Sequence, residues 1–96
     1  MGKKIEHEAL GLKFELPDHE LKQRDIEAFY GALPATVRSA LAPVRSGHII
    51  RAAIGCGWLE GQLTVKEVGD LHPAAATWLT GEIDTLVFDA YEIPGE

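Results

Sequence analysis

The fold is decided by residues 73–91, which read PAAATWLTGEIDTLVFDAY. Apolar side chains recur here every three or four residues, the spacing that places side chains on one face of an α-helix. The pattern continues over about five turns and predicts a long C-terminal helix whose apolar stripe contributes most of the core. The stripe comprises Ala75, Trp78, Leu79, Ile83, Leu86, Val87 and Ala90.

The N-terminal residues favour a β-hairpin, with strands predicted over residues 3–8 and 12–16. In the second strand Leu12, Phe14 and Leu16 alternate with charged residues, which is the period-two pattern of a half-buried strand. Gly11 between the strands can adopt the positive φ that a tight turn requires. Since a lone hairpin is only marginally stable in water, its apolar face is expected to pack against helices.

Two helices are predicted after the hairpin. Asp18 is expected to cap a turn, and a helix follows over residues 22–33, ended by Pro34. A short second helix is predicted over residues 35–41 and is closed by Pro43. The buried side of the first of these helices is predicted to comprise Ile26, Phe29, Tyr30 and Leu33.

Two further helices precede the C-terminal one. Ser46 is a favourable N-cap for a helix that continues to Gly55, where Gly55 and Gly57 together indicate a helix end. Thr64 followed three residues later by Glu67 matches the capping box and predicts a helix of one or two turns.

These elements predict one domain over residues 1–96 and a mainly α fold. An N-terminal β-hairpin (residues 1–17) is expected to pack on a bundle of four to five helices (residues 18–92), with a tail at residues 93–96. A chain of 96 residues with 46% hydrophobic residues can form one modest core.

Charge is distributed unevenly along the chain, whose formal net charge is −6. Residues 1–66 contain nine Lys and Arg against eight acidic residues, a net charge of +1. Residues 67–96 contain seven acidic residues and neither Lys nor Arg, a net charge of −7. This acidic end is interpreted either as a solvated helix face or as a surface for a basic partner.

Targeting signals are not recognisable in the sequence. The single cysteine, Cys56, excludes an internal disulfide framework and suits a reducing compartment. The chain has neither an apolar stretch of about 20 residues nor the apolar core of a signal peptide near its start. We therefore predict a cytoplasmic protein that does not interact with a membrane.

Residue spacing predicts no catalytic, cofactor-binding or metal site. The four histidines lack ligand spacing, and Cys56 has no ligating neighbour. Cys56 also follows a predicted helix C-terminus, where the dipole disfavours a thiolate. Glu82 and Asp89 are expected to be solvated on a polar helix face. The sequence therefore predicts a protein that is not an enzyme.

Residues 63–73 followed by the C-terminal helix resemble a helix-turn-helix, so a regulator is an alternative. The would-be recognition helix, residues 73–91, contains no Arg, Lys, Asn or Gln for contacts with phosphates or base edges. Its acidic residues would repel the phosphate backbone. We therefore expect no binding to nucleic acid through this element.

Three stretches together resemble a known family. They are residues 12–17 leading to residues 24–29, residues 50–58, and a third group made up of His72, Pro73, Trp78, Leu79, Ile83, Tyr91, Ile93 and Pro94. In this order they are similar to small proteins of long-tailed phages and prophages described as tail assembly chaperones. The resemblance implies a protein without enzymatic activity that binds and protects a tail component during assembly, such as the tape-measure protein, in the cytoplasm of a bacterial host.

The partner-binding surface is predicted on the acidic last helix. A basic helical segment of a tail protein would lie against Glu82, Asp84 and Asp89, with Trp78 or Tyr91 as aromatic anchors. The long amphipathic helix and two tryptophans are also compatible with a homodimer. A small structural or connector protein of the virion is an alternative to an assembly protein.

Overall fold

The computed structural model describes residues 2–17 and 21–92, so the predicted cap at Asp18 and the predicted tail at 93–96 lie outside the described residues. The described chain forms two strands, four helices and two 3₁₀ turns. They are β1 (Gly2–His7), a turn (Glu8–Leu10), β2 (Leu12–Pro17), α1 (Gln23–Gly31), a turn (Ala35–Arg38), α2 (Ala42–Gly55), α3 (Val65–Val68) and α4 (Pro73–Asp89).

The mainly helical architecture is confirmed, as is the antiparallel N-terminal hairpin that packs against helices. The predicted bundle of four to five helices is not confirmed. Among the described residues α1, α2 and α4 have nine or more residues, whereas α3 has four. The predicted helix over residues 35–41 is a 3₁₀ turn of four residues, Ala35–Arg38.

The centre of the core is the contact between α4 and α2. Their facing sides are buried and combine branched residues with alanines, which let the two backbones approach closely. The Thr80 hydroxyl also donates to the backbone oxygen of Ser46 on α2, at 3.5 Å. The buried residues of the two helices are Ser46, Ile49, Ile50, Ala52, Ala53, Ala75, Leu79, Ile83 and Val87.

The start of α2 differs from the prediction. The helix begins at Ala42, with Leu41 as its N-cap and Pro43 within its first turn. Proline is tolerated there because the first amides of a helix have no partner within the helix, so Pro43 opens α2 and does not close an earlier helix. The predicted N-cap, Ser46, lies one turn inside the helix and is buried.

The end of α2 is confirmed and forms a Schellman motif. Gly57 has a φ of 81°, its N–H donates to Ile54 O at 2.9 Å, and the N–H of Trp58 donates to Ala53 O at 3.1 Å. The reversal returns Trp58 to the core, where its ring stacks on Phe29 with centroids 5.1 Å apart. The stacking therefore ties α1 to the end of α2.

The hairpin turns at Gly11, whose φ of 64° confirms the predicted positive value. Its inward side buries Ile5, Phe14 and Leu16. Gln62, from the loop between α2 and α3, holds the outer edge of β2. Its side-chain amide accepts from the Glu15 N–H at 2.6 Å and donates to the Glu15 oxygen at 2.9 Å.

Two alanine substitutions at the end of α2 should change stability in opposite directions. Gly57→Ala should lower the free energy of unfolding by about 1–2 kcal/mol, because a Cβ is strained at this positive φ. Gly55→Ala should raise it by about 0.5–1 kcal/mol, because Gly55 is helical and has open space around it. Urea denaturation of both variants measures these changes in the free energy of unfolding. Equal changes in the two variants would contradict the Schellman motif at the end of α2.

Candidate protein-binding surface

The residues predicted as a partner-binding site do not lie together. At 100° per residue, Trp78, Glu82 and Asp89 share one flank of α4, whereas Asp84 falls on the opposite flank. Tyr91, in the turn after α4, lies on the side of Asp84, where it contacts Tyr30. The buried stripe that faces α2 separates the two flanks. The acidic face predicted from the sequence is therefore two surfaces.

The first flank of α4 faces the hairpin. The Trp78 ring is half-buried and meets His7 edge to face, with centroids 5.5 Å apart, and it lies 6.1 Å from the Phe14 ring. Through these contacts Trp78 packs α4 against the hairpin. Glu82, half-buried, and Asp89, exposed, lie beside it.

The second flank of α4 borders a groove, which we call the aromatic groove. It has a volume of about 460 Å³, and α2 forms its floor because α2 contacts both α4 and the elements on the other side. Helix α1 and the turn Ala35–Arg38 form one wall, and α4 forms the other. The groove is lined by Phe29, Tyr30, Leu33, Val37, Arg38, Arg45, Ile49, Asp84, Val87 and Phe88.

Large aromatic side chains are exposed at the rim of the aromatic groove. Phe88 is 79% exposed, Tyr30 is 52% exposed, and Tyr91, in the turn after α4, is 64% exposed. Sequence reasoning placed Tyr30 on the buried stripe of its helix, and this was wrong. It also did not single out Phe88, which lies on the side of α4 away from the buried stripe. A large apolar residue outside the stripe was the available signal for this surface.

The charges of the groove are of both signs and stand on opposite sides. Arg38 belongs to the wall formed by the 3₁₀ turn, Arg45 to the floor and Asp84 to α4. Asp84 is exposed by accessible area, but the groove partly desolvates its carboxyl and raises its pKa, and attraction to Arg45 opposes that rise. Burial also raises the pKa of the Tyr30 hydroxyl, as do the neighbouring Tyr91 and Asp84. The two tyrosines and Asp84 thus form one polar cluster at the edge of the groove.

Metal-ligating side chains are not gathered elsewhere in the part of the chain that the structure describes. Within residues 2–17 and 21–92, no group of three or more His, Cys, Asp or Glu side chains could hold a metal ion. Cys56 is half-buried against the core, and burial, followed by the charge of Asp25, raises the pKa of its thiol. In the described part of the chain no helix is long and apolar enough to span a bilayer.

No protein-family model, curated protein or solved structure matches the chain. The geometry of the aromatic groove is therefore the basis for assigning a function.

The raised pKa of Asp84 gives a test of the electrostatics of the groove. Its carboxyl binds a proton more tightly in the folded chain than at the ordinary value of 3.8. The free energy of unfolding should therefore fall as the pH rises through the interval just above 3.8. At neutral pH the unfavourable free energy of holding the ionised Asp84 carboxylate in the folded chain is fully present. Asp84→Asn removes this cost and should stabilise the protein at about pH 7 by at most about 0.5 kcal/mol, since the group is partly solvated.

Urea denaturation of Asp84→Asn and the unsubstituted protein at about pH 7 and about pH 3 measures this difference, which should vanish in acid. A variant less stable than the unsubstituted protein at neutral pH would show that attraction to Arg45 outweighs burial.

Proposed function

We propose that the chain is a protein without enzymatic activity that binds an apolar helical segment of another protein in the aromatic groove, and that it serves phage or prophage tail assembly in the host cytoplasm. The observation that carries the binding role is the exposure of Tyr30, Phe88 and Tyr91 around an apolar groove. Aromatic residues exposed together mark interaction sites more often than isolated apolar residues do.

The shape and chemistry of the groove suit a helix. An amphipathic helix presents residues at i, i+3, i+4 and i+7 to an apolar groove. This groove offers half-buried Leu33 and Val37 and exposed Phe88 to such a face, above a floor of buried core residues. Phe88 at the rim is positioned as an aromatic anchor of the kind that dominates binding energy. Arg38 and Asp84 on opposite walls would select a helix with an acid on one side and a base on the other.

The charge of the helix bound in the groove differs from the sequence hypothesis. The sequence hypothesis placed a uniformly basic segment along one acidic face of α4. The structure does not favour this arrangement, because Glu82 and Asp89 lie on the flank away from the groove. Only Asp84 would contact a basic residue of a partner in the groove. The acidic residues elsewhere add net negative charge, which favours solubility.

The assignment to tail assembly rests on the resemblance of residues 12–17, 24–29 and 50–58, together with Trp78 and Tyr91, to tail assembly chaperones. Several of these residues hold the fold: Gly57 forms the end of α2, and Trp58 and Trp78 anchor α1 and the hairpin. The residues that carry the resemblance therefore support a similar fold. The aromatic groove supplies the exposed apolar surface that a chaperone requires. We therefore place the tape-measure protein first among expected partners and expect neither nucleic acid nor a membrane to bind.

Substitution of Phe88 tests the binding role. Co-expression of the tagged chain with the neighbouring tail genes should yield a co-purified tail protein, and Phe88→Glu should reduce its recovery at least about tenfold because a charge replaces the exposed anchor. Val65→Glu is the matched control, since Val65 is 51% exposed on α3, outside the groove, and it should leave recovery unchanged.

Absence of any tail protein from the pull-down, or equal recovery with Phe88→Glu, would contradict the proposal. Mass spectrometry of purified virions distinguishes the structural alternative, since an assembly protein should be missing from mature particles and a connector present in them.

A further inference from the structure

We infer that, in the free protein, the aromatic groove is covered by a second copy of this chain, in a two-fold symmetric dimer that must dissociate before a partner protein can bind. The inference rests on the proposed function only for the partner step, because the dimer itself follows from the surface of the groove. The sequence was compatible with a homodimer partly through its two tryptophans, but Trp58 is buried and Trp78 holds the hairpin.

The exposed aromatic side chains around the groove supply a substantial part of the area that self-association uses. The exposed fractions of Tyr30, Phe88 and Tyr91 together equal nearly two whole aromatic side chains. At 150–250 Å² each, that is roughly 300–500 Å², about half of the roughly 800 Å² that each partner of a standard interface buries. Half-buried Leu33 and Val37 and the aliphatic stems of Arg38 and Arg45 extend this area along the walls.

The charges of the groove are self-complementary under two-fold symmetry. When the symmetry axis runs along the groove, the wall formed by the 3₁₀ turn of one copy faces the α4 wall of the other. Arg38 of each copy then approaches Asp84 of its partner, and both contacts form at once. Within the described residues neither Arg38 nor Asp84 makes a close ion pair. Asp84 is attracted to Arg45 without a direct contact, so its carboxylate can still meet Arg38 of the other copy.

Phe88 gives the same arrangement an apolar centre. It projects from α4 at the rim of the groove, directly beside Asp84 in the helical register of i and i+4. In the dimer it packs against half-buried Leu33 and Val37 on the facing wall of the other copy, and Phe88 of that copy makes the same contact in return. A partner helix uses the same groove, so the dimer and the complex with a partner exclude each other.

Sedimentation of the isolated protein between about 1 µM and about 500 µM tests the dimer, because its population follows mass action. A concentration-dependent monomer–dimer equilibrium is expected. Phe88→Glu should weaken it at least about 30-fold, a loss typical of a central anchor. Val65→Glu should leave it unchanged, and unchanged circular dichroism confirms that both variants fold.

Mixing of two charge variants tests the symmetry. Arg38→Glu alone places Glu against Asp84, and Asp84→Lys alone places Lys against Arg38, so each should dimerise more weakly than the unsubstituted chain. In the mixed dimer one contact pairs Glu with Lys and the other pairs Arg with Asp, so mixing should restore association. Recovery shows that the opposite walls meet across the contact. A dimer as the largest species in sedimentation then distinguishes the two-fold contact from a head-to-tail one, which continues to larger assemblies.

A monomer throughout the concentration range, a dimer insensitive to Phe88→Glu, or no recovery on mixing would overturn the inference. Titration with the co-purified tail protein then tests the competition: a complex containing one copy of the chain supports it, and a complex that retains the dimer overturns it. The dimer measurements use the isolated chain alone, so their failure is distinct from failure of the tail protein to co-purify.

Discussion

The packing of α4 on α2 is the contact on which the other elements depend. Ile83 and Leu79 are fully buried in it, together with Ile50 and Ala53 of α2. Once α4 is fixed by this stripe, its two flanks are available to other parts of the chain. One flank receives the hairpin through Trp78, and the other borders the aromatic groove. Helix α4 thus positions both the hairpin and the aromatic groove.

The groove exists because α1 and α4 both pack on α2 with few contacts to each other. The stacking of Trp58, just after α2, on Phe29 holds α1 in place as one wall of the groove. The 3₁₀ turn that follows α1 is too short to fill the space above α2. The aromatic residues at the rim therefore stay exposed because neighbouring elements do not reach them, although their own helices are well packed.

Local signals in the sequence predicted much of the fold. Period-two alternation located the hairpin, the glycines at 55 and 57 located the end of α2, and the Thr64 capping box located α3, because each depends on neighbouring residues. The start of α2 was missed since proline both ends helices and opens them, and the local sequence does not distinguish these roles. Tyr30 was misassigned because periodicity gives the direction of a side chain but not whether another element covers it.

The candidate surface was less predictable for the same reason. Composition showed an acidic C-terminal region, and helical angles alone would have separated Trp78, Glu82 and Asp89 from Asp84 and Tyr91. The opposing wall, with Arg38 and Arg45, comes from a distant part of the chain and depends on tertiary packing.

The two hydrogen bonds between the Gln62 side chain and the backbone of Glu15 affect whether other chains can add to the hairpin. Unpaired strand edges are templates on which extended peptides add, and a two-stranded sheet has two of them. The outward amide and carbonyl of Glu15 are already occupied by the Gln62 side chain, so β2 cannot extend the sheet at that point. The other edge, β1, carries the exposed charges of Lys3, Lys4 and Glu6, which discourage strand addition. Both edges of the hairpin are thus protected against the addition of further strands.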